Sequence, residues 1–172
     1  DPATGLLPHR SDPDTGAPLE GARGTSQVLI QRFWPVVDRQ SAETTYARFR
    51  QLFVTSRAGF VGVREYPDGT DGPGDVDSGS LIFGFSASAS AVGVGAATVN
   101  GDPGLADALV DEVEVFGFPR TSGGHRRYAF GLEPVGDAFV TWSRAAPVSM
   151  VPAGPQPAGA RALWPLPLLV PW

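Results

Sequence analysis

The chain has 172 residues, which is enough for one domain with a substantial hydrophobic core. Its net charge is −5, and all 13 basic residues are arginines scattered along the chain, which argues against a nucleic-acid-binding face. Cysteine is absent, so disulfides, thiolate nucleophiles and zinc–thiolate sites are excluded. Two histidines, His9 and His125, are too few for a histidine-rich metal site, and we expect neither a metal nor a cofactor.

The first 24 residues contain two near copies of one turn sequence. DPATG (1–5) and DPDTG (12–16) place aspartate before proline, a pair that favours type I turns. We therefore predict a loose hairpin or ordered loops for residues 1–24. The chain starts at Asp1 without a methionine or a signal peptide, so we expect the native amino terminus to lie elsewhere.

Two amphipathic helices are predicted next. The first starts at Thr25 and ends before Pro35, because the residue that precedes proline avoids the helical conformation. Asp38 is expected to cap the second helix, whose apolar residues recur at spacings of four, three and four. These stripe residues are Ala42, Tyr46, Phe49 and Phe53.

A long uncharged stretch runs from Ser78 to Gly101. Apolar residues at helical spacing form one face, and Ser, Ala and Gly form the other. A helix without a polar face is buried on all sides or lies in lipid. The many serines and glycines favour an inner helix of a helical domain over a membrane span.

Two more helices are predicted after this stretch. Asp102 followed by Pro103 is a strong helix start, and Pro134 opens the last helix. Between them, residues 126–130 are expected to be extended, with a mobile glycine tip beside His125, to which we assign no role.

Taken together, the helices predict an all-α fold, an α/α-toroid in which helical hairpins surround a central cavity. A closed ring needs about twice as many helices, so a partial toroid with a short β-hairpin or extended loops is expected. Its domain would span residues 1–146, with an acidic loop at 57–77. Residues 147–172 form a proline-rich tail that cannot be a regular helix. It is expected to lie on an apolar surface or to lead to a membrane segment.

An acid-rich stretch, REYPDGTDGPGDVDSG (64–79), precedes the uncharged stretch. Its acids have three interpretations. Asp75 and Asp77 cap the inner helix, or they act as an acid/base pair at the cavity rim. The third is calcium binding with Asp68 and Asp71, although the spacing does not match an EF-hand loop.

Further candidate site residues lie close in sequence to these acids or in the first turns. His9 is a candidate acid or base, since histidine suits proton transfer near neutral pH. Glu65 and Tyr66 are expected to enter the same cavity rim and complete the catalytic set. Three arginines are expected to bind an anionic or polyhydroxylated ligand. They are Arg10, Arg23 and Arg64.

Several blocks carry a resemblance to a known group of proteins. DPATGLLPHR, EGARGTSQ, GVREYP and GDVDSG, followed by the Gly/Ala/Ser-rich stretch, resemble uncharacterised bacterial proteins with an α/α-toroid fold and frequent membrane anchors. The resemblance covers roughly residues 1–146. More remotely, the chain is similar to linalool dehydratase/isomerase. That family uses cysteines at its site and this chain has none, so no residue role is carried over.

The leading hypothesis is an acid/base enzyme, a hydrolase or lyase that acts on a carbohydrate-like substrate in the toroid cavity. One alternative is a dehydratase/isomerase-like enzyme that acts on an isoprenoid alcohol. Another is a non-enzymatic structural or accessory subunit of a membrane-associated assembly at the cell envelope, with its tail packed on a membrane or protein partner. Asp75 and Asp77 discriminate between these classes: if they only cap or face solvent, the enzyme hypothesis loses most of its support.

Overall fold

The computed structural model describes residues 1–147, which form five α-helices and four two-stranded antiparallel sheets. The helices are α1 (Gly24–Val37), α2 (Arg39–Phe53), α3 (Ala87–Val99), α4 (Pro103–Phe116) and α5 (Pro134–Arg144). The paired strands are β1 (Arg10–Ser11) with β2 (Pro18–Glu20), β3 (Val54–Arg57) with β4 (Phe60–Val63), β5 (Leu81–Ile82) with β6 (Phe85–Ser86), and β7 (Arg120–Ser122) with β8 (His125–Arg127). A 3-10 turn, Ala129–Gly131, precedes α5.

The predicted all-α toroid is wrong. Helices α1, α4 and α5 all pack against α3, so one central helix takes the place that a cavity would occupy in a toroid. Each pair of strands is a local hairpin that joins two helices or precedes one. The hairpin expected within residues 1–24 is present as β1 and β2. The predicted tail lies outside the described residues, apart from Pro147.

Helix α3 confirms only the second half of the predicted inner helix. Its residues 89–97 are all buried, because small side chains let three helices approach it closely. The first half instead forms β5 and β6, joined by Phe83 and Gly84 in left-handed conformations with φ of 54° and 82°. Ser86 caps α3 by accepting a hydrogen bond from the amide of Ala89 at 3.1 Å. Asp75 and Asp77 therefore do not lie at the start of this helix.

Helix α1 continues through Pro35, where the sequence predicted its end. Proline lacks an N–H, so the carbonyl of Gln31 loses its partner within the helix. The side-chain amide of Asn100, at the end of α3, donates to this carbonyl at 2.8 Å instead. A contact from a distant part of the chain thus replaces the missing helical hydrogen bond.

Helices α2 and α4 follow their sequence patterns closely. The side chain of Asp38 accepts from the amide of Ser41, and Asp102 accepts from that of Leu105, so both predicted caps are confirmed. Asp102 also accepts from the Tyr46 hydroxyl at 3.0 Å and pairs with Arg50 at 2.7 Å, which ties α4 to α2. All four stripe residues predicted for α2 are buried. They are Ala42, Tyr46, Phe49 and Phe53.

Candidate functional site

The largest group of predicted site residues meets where α1 begins. We call the residues around this point the Arg23 cluster. Its members are Glu20, Arg23, Thr25, Glu65, Tyr66 and Asp75. Chain connections explain the meeting, because β2 leads into α1 and the segment after β4 passes the same helix end. The amide of Gly24 donates to the carbonyl of Glu65 at 2.8 Å and fixes this crossing.

Arg23 is the centre of this cluster and is only 6% exposed. Its guanidinium contacts three carboxylates, at 2.7 Å for Glu65, 2.9 Å for Glu20 and 2.6 Å for Asp75. Burial lowers the pKa of Arg23, but the charges of these carboxylates outweigh burial and leave the pKa raised. Three carboxylates already surround the Arg23 guanidinium, so its positive charge is not available to bind an anionic ligand as the sequence predicted.

Glu65 is fully buried, with 0% exposure. Its carboxylate accepts hydrogen bonds from Arg23 and also from Thr25. The Thr25 hydroxyl donates to it at 2.9 Å, and the Thr25 amide donates to it at 3.2 Å. Burial raises its pKa, and these donors together with the charge of Arg23 offset burial only in part. A carboxylate with all these donors and no exposed surface anchors Arg23 and the start of α1, and it does not reach a substrate in this conformation.

Asp75 and Asp77 lie in a turn that precedes β5, not at a helix end. One oxygen of Asp75 accepts from the amides of Asp77 at 3.0 Å and Ser78 at 2.9 Å. The backbone hydrogen bond from Ser78, helped by the Ser78 side chain and by the charge of Arg23, lowers the pKa of Asp75. Asp77 is exposed, and its carboxylate has no hydrogen-bond partner within residues 1–147. The capping interpretation describes Asp75, although it caps a turn and not α3.

Tyr66 and Arg64 stabilise the acidic loop. The Tyr66 ring lies 5.2 Å below the Arg23 guanidinium, and its hydroxyl donates to the carbonyl of Pro73 at 2.9 Å. Arg64 is 2% exposed and donates to the carbonyl of Thr70 at 2.8 Å. It also pairs with two exposed aspartates of the loop. They are Asp68, at 3.3 Å, and Asp71, at 2.8 Å.

His9 and Arg10 lie on the neighbouring β1–β2 hairpin. Arg10 is exposed and opposite Glu20 in the strand register, but no carboxylate of the described residues lies within ion-pair distance of its side chain. His9 is half-buried, and its Nδ1 is in hydrogen-bond contact with the hydroxyl of Ser26 in the first turn of α1. The structure thus gives His9 a partner that the sequence did not suggest.

Two further observations concern metal binding and membrane spanning in the described residues. Within residues 1–147, no group of three or more acidic or histidine side chains has the geometry to bind a metal ion. None of the helices in the same part of the chain is both long and apolar enough to cross a bilayer. The calcium interpretation therefore has no ligand set in the described residues.

A second surface, missed by the sequence reasoning, surrounds β7 and β8. In the strand register Arg120 lies opposite Arg127, and Ser122 lies opposite His125. Because strand side chains alternate, these residues share one face, while Arg126 points to the other face and pairs with Glu114 of α4. No carboxylate within residues 1–147 pairs with Arg120 or Arg127.

Two phenylalanines flank this hairpin. Phe118 and Phe130 are 56% and 60% exposed, and their rings stack with centroids 5.2 Å apart. Both have left-handed backbone conformations, with φ of 45° and 59°, which are strained for a bulky residue. We call the exposed side chains of this hairpin and of its two flanking phenylalanines the hairpin face. Its members are Phe118, Arg120, His125, Arg127 and Phe130.

The sequence contained a signal for the hairpin face. Residues 115–132 hold three arginines, one histidine and no acid in a chain of net charge −5. Two adjacent glycines, Gly123 and Gly124, separate the two halves, which is a strong signal for a tight hairpin turn. Both glycines have positive φ, 58° and 79°, as such a turn requires.

Comparison with known proteins does not assign the chain to a family. No family model matches the chain, and the search of curated proteins found none with significant similarity to it. The resemblance to bacterial toroid proteins and to linalool dehydratase/isomerase therefore stays a prediction.

Proposed function

We propose that the protein is a non-enzymatic accessory module that binds an anionic membrane surface through the hairpin face. The carrying observation is the pair of exposed arginines that lie opposite each other beside two exposed, stacked phenylalanines. The Arg23 cluster supports the non-enzymatic class, because its carboxylates are occupied by structural partners.

Charge favours an anionic partner. Like charges directly opposite each other on two strands are destabilising, and Arg120 and Arg127 are in this arrangement. On the other face of the hairpin Glu114 already pairs with Arg126 and with Arg144, so it leaves the opposed arginines without compensation. Phosphate groups of acidic lipids would supply the missing counter-charge, at about 1 kcal/mol for each basic residue near such a surface.

The aromatic rings favour a membrane over a soluble polyanion. Full burial of one phenylalanine side chain contributes about 1.5–3 kcal/mol. Phe118 and Phe130 are already partly covered, so inserting both rings among lipid headgroups would contribute about 2–3 kcal/mol. Added to the contribution of the arginines, this free energy corresponds to weak, reversible binding that is measurable at millimolar lipid concentrations.

The 172-residue chain should co-sediment with vesicles that contain phosphatidylglycerol and much less with pure phosphatidylcholine vesicles. Replacing Arg120 and Arg127 by glutamine should weaken the partition coefficient about tenfold or more, because both counter-charged contacts are lost. Replacing Phe118 and Phe130 by asparagine, which tolerates the left-handed conformation, should weaken it similarly. Raised salt should reduce binding of the wild type.

A double substitution elsewhere provides the matched control. Arg39 and Arg57 are exposed and have no ion-pair partner within residues 1–147, so changing both to glutamine alters the net charge equally. This control variant should bind vesicles as the wild type does. Equal loss in the control, or equal binding to neutral and anionic vesicles, contradicts the proposal.

A second candidate function, a hydrolase with a serine nucleophile and a histidine base, is favoured by the contact between His9 and Ser26. A serine hydroxyl next to a histidine is the minimal arrangement for nucleophilic attack, in which the imidazole accepts the hydroxyl proton. Ser26 lies in the first turn of α1, where the helix dipole favours developing negative charge. The other ring nitrogen of His9 has no carboxylate partner among the described residues, so this is a dyad at most.

Labelling with a fluorophosphonate probe tests this dyad. If Ser26 is a nucleophile, the wild type is labelled, Ser26→Ala is not labelled, and His9→Ala is labelled at least tenfold more slowly. Ser80→Ala, which removes an exposed serine, should behave as the wild type. An unlabelled wild type, or label retained in Ser26→Ala, eliminates the hydrolase candidate.

A further inference from the structure

Helix α1 presents an apolar groove on its surface, next to α2, since the Trp34 side chain in the groove donates to the hydroxyl of Ser41 at 3.2 Å. The groove is lined by Leu29, Ile30, Phe33, Trp34 and Val37. Several of these side chains are conspicuously exposed, with 54% for Phe33 and 73% for Val37, and the adjoining Val36 is 87% exposed. An apolar surface of this kind on a folded domain indicates an interaction site.

Helix α5, the last element of the described residues, contacts one side of this groove. Trp142, near the end of α5, contacts Phe33 with ring centroids 5.9 Å apart. The Arg32 guanidinium lies 3.8 Å from the centre of the Trp142 ring and donates to the carbonyl of Trp142 at 3.0 Å. The last described residue, Pro147, follows Trp142 by five positions. Five residues span at most about 17 Å, so Pro147 lies within that distance of Trp142 at one side of the groove.

The sequence beyond Pro147 is suited to this surface. Residues 162–172 read ALWPLPLLVPW, with no charge and three prolines. Proline-rich segments dock into grooves lined by aromatic side chains, such as Phe33 and Trp34, because the extended backbone is already ordered. The 14 residues from 148 to 161 span about 43 Å when extended, at 3.1 Å per residue. Helix α1 is about 21 Å long, at 1.5 Å per residue, so the segment reaches every part of the groove.

We propose that residues 162–172 of the same chain occupy the apolar groove of α1. The apolar segment covers Phe33, Val37 and their neighbours, while the more polar residues 148–161 form the connection. This docking is distinct from membrane binding by the hairpin face, because it uses helix α1 in place of the β7–β8 hairpin and needs no lipid.

Disulfide trapping in the 172-residue chain tests this docking, since this chain has no cysteine to interfere. Val37 and Leu168 are replaced together by cysteine, and oxidation is followed without lipid by non-reducing electrophoresis and peptide mass spectrometry. We expect an intrachain disulfide that forms at least tenfold faster than in a control with cysteines at Asp107 and Leu168. Asp107 is an exposed residue of α4, which contacts α3 on a different side from α1.

A second variant distinguishes docking from chance collision. Adding Trp164→Ser and Leu166→Ser to the V37C/L168C protein should reduce the rate to that of the control. Equal rates for the Val37 and Asp107 pairs overturn the proposal. Interchain disulfides in place of intrachain ones also overturn it, and they would assign the groove to a second copy of the chain.

Discussion

Replacing Glu65 with alanine should lower the free energy of unfolding by about 3–5 kcal/mol. The change removes a fully buried carboxylate that accepts from Arg23 and from both donors of Thr25. Arg23 then keeps only its partly exposed partners Glu20 and Asp75, and the Thr25 amide is left without its acceptor. Urea denaturation followed by circular dichroism measures the loss.

Asp68→Ala provides the control for this substitution. Asp68 also pairs with a buried arginine, Arg64, but its side chain is 71% exposed and the pair distance is 3.3 Å. Water replaces an exposed partner readily, so the expected loss is below about 1 kcal/mol. A Glu65→Ala variant as stable as Asp68→Ala would show that the Arg23 cluster is not a structural centre, and would reopen Glu65 as a candidate catalytic acid.

The parts of the fold that sequence predicted correctly depend on local signals. Asp38 and Asp102 each accept a hydrogen bond from the amide three residues later in the chain, and the apolar stripe of α2 lies within fifteen residues. The continuation of α1 through Pro35 was not predictable in this way. It depends on Asn100, which is 69 residues from the carbonyl of Gln31 that it satisfies.

The toroid prediction failed because an uncharged stretch was taken as one helix. Helical spacing fits residues 78–101 throughout, but Phe83 and Gly84 turn the chain back and leave only the second part for α3. The predicted site was also only partly correct. Four of the predicted residues, Arg23, Glu65, Tyr66 and Asp75, do meet. However, Arg23 and Glu65 are 42 positions apart in the sequence, so their mutual neutralisation was not predictable from local patterns.

Replacing Gly24 with alanine should also destabilise the protein strongly, by about 2–4 kcal/mol. A Cβ at this position would lie 2.0 Å from the carbonyl oxygen of Arg64 and 3.3 Å from the Cα of Glu65. Both are backbone atoms that cannot rotate away, so α1 and the segment after β4 must separate. Separation breaks the 2.8 Å hydrogen bond from the Gly24 amide to Glu65 and loosens the Arg23 cluster. Thermal and urea unfolding measure the effect.

Gly136→Ala is the matched control, because it adds the same methyl group to a helical glycine with room for it. The nearest atoms to a Cβ at Gly136 are side-chain atoms of Glu133 at 3.7–3.9 Å, an ordinary contact distance. Alanine favours a helix interior over glycine by about 1 kcal/mol, so this variant should be as stable as the wild type or slightly more stable. The two glycine-to-alanine substitutions should change the free energy of unfolding in opposite directions, and the difference reports the close contact between Gly24 and Arg64. If Gly24→Ala were as stable as Gly136→Ala, the close crossing of the EGARGTSQ and GVREYP segments would not be what holds the start of α1 in place.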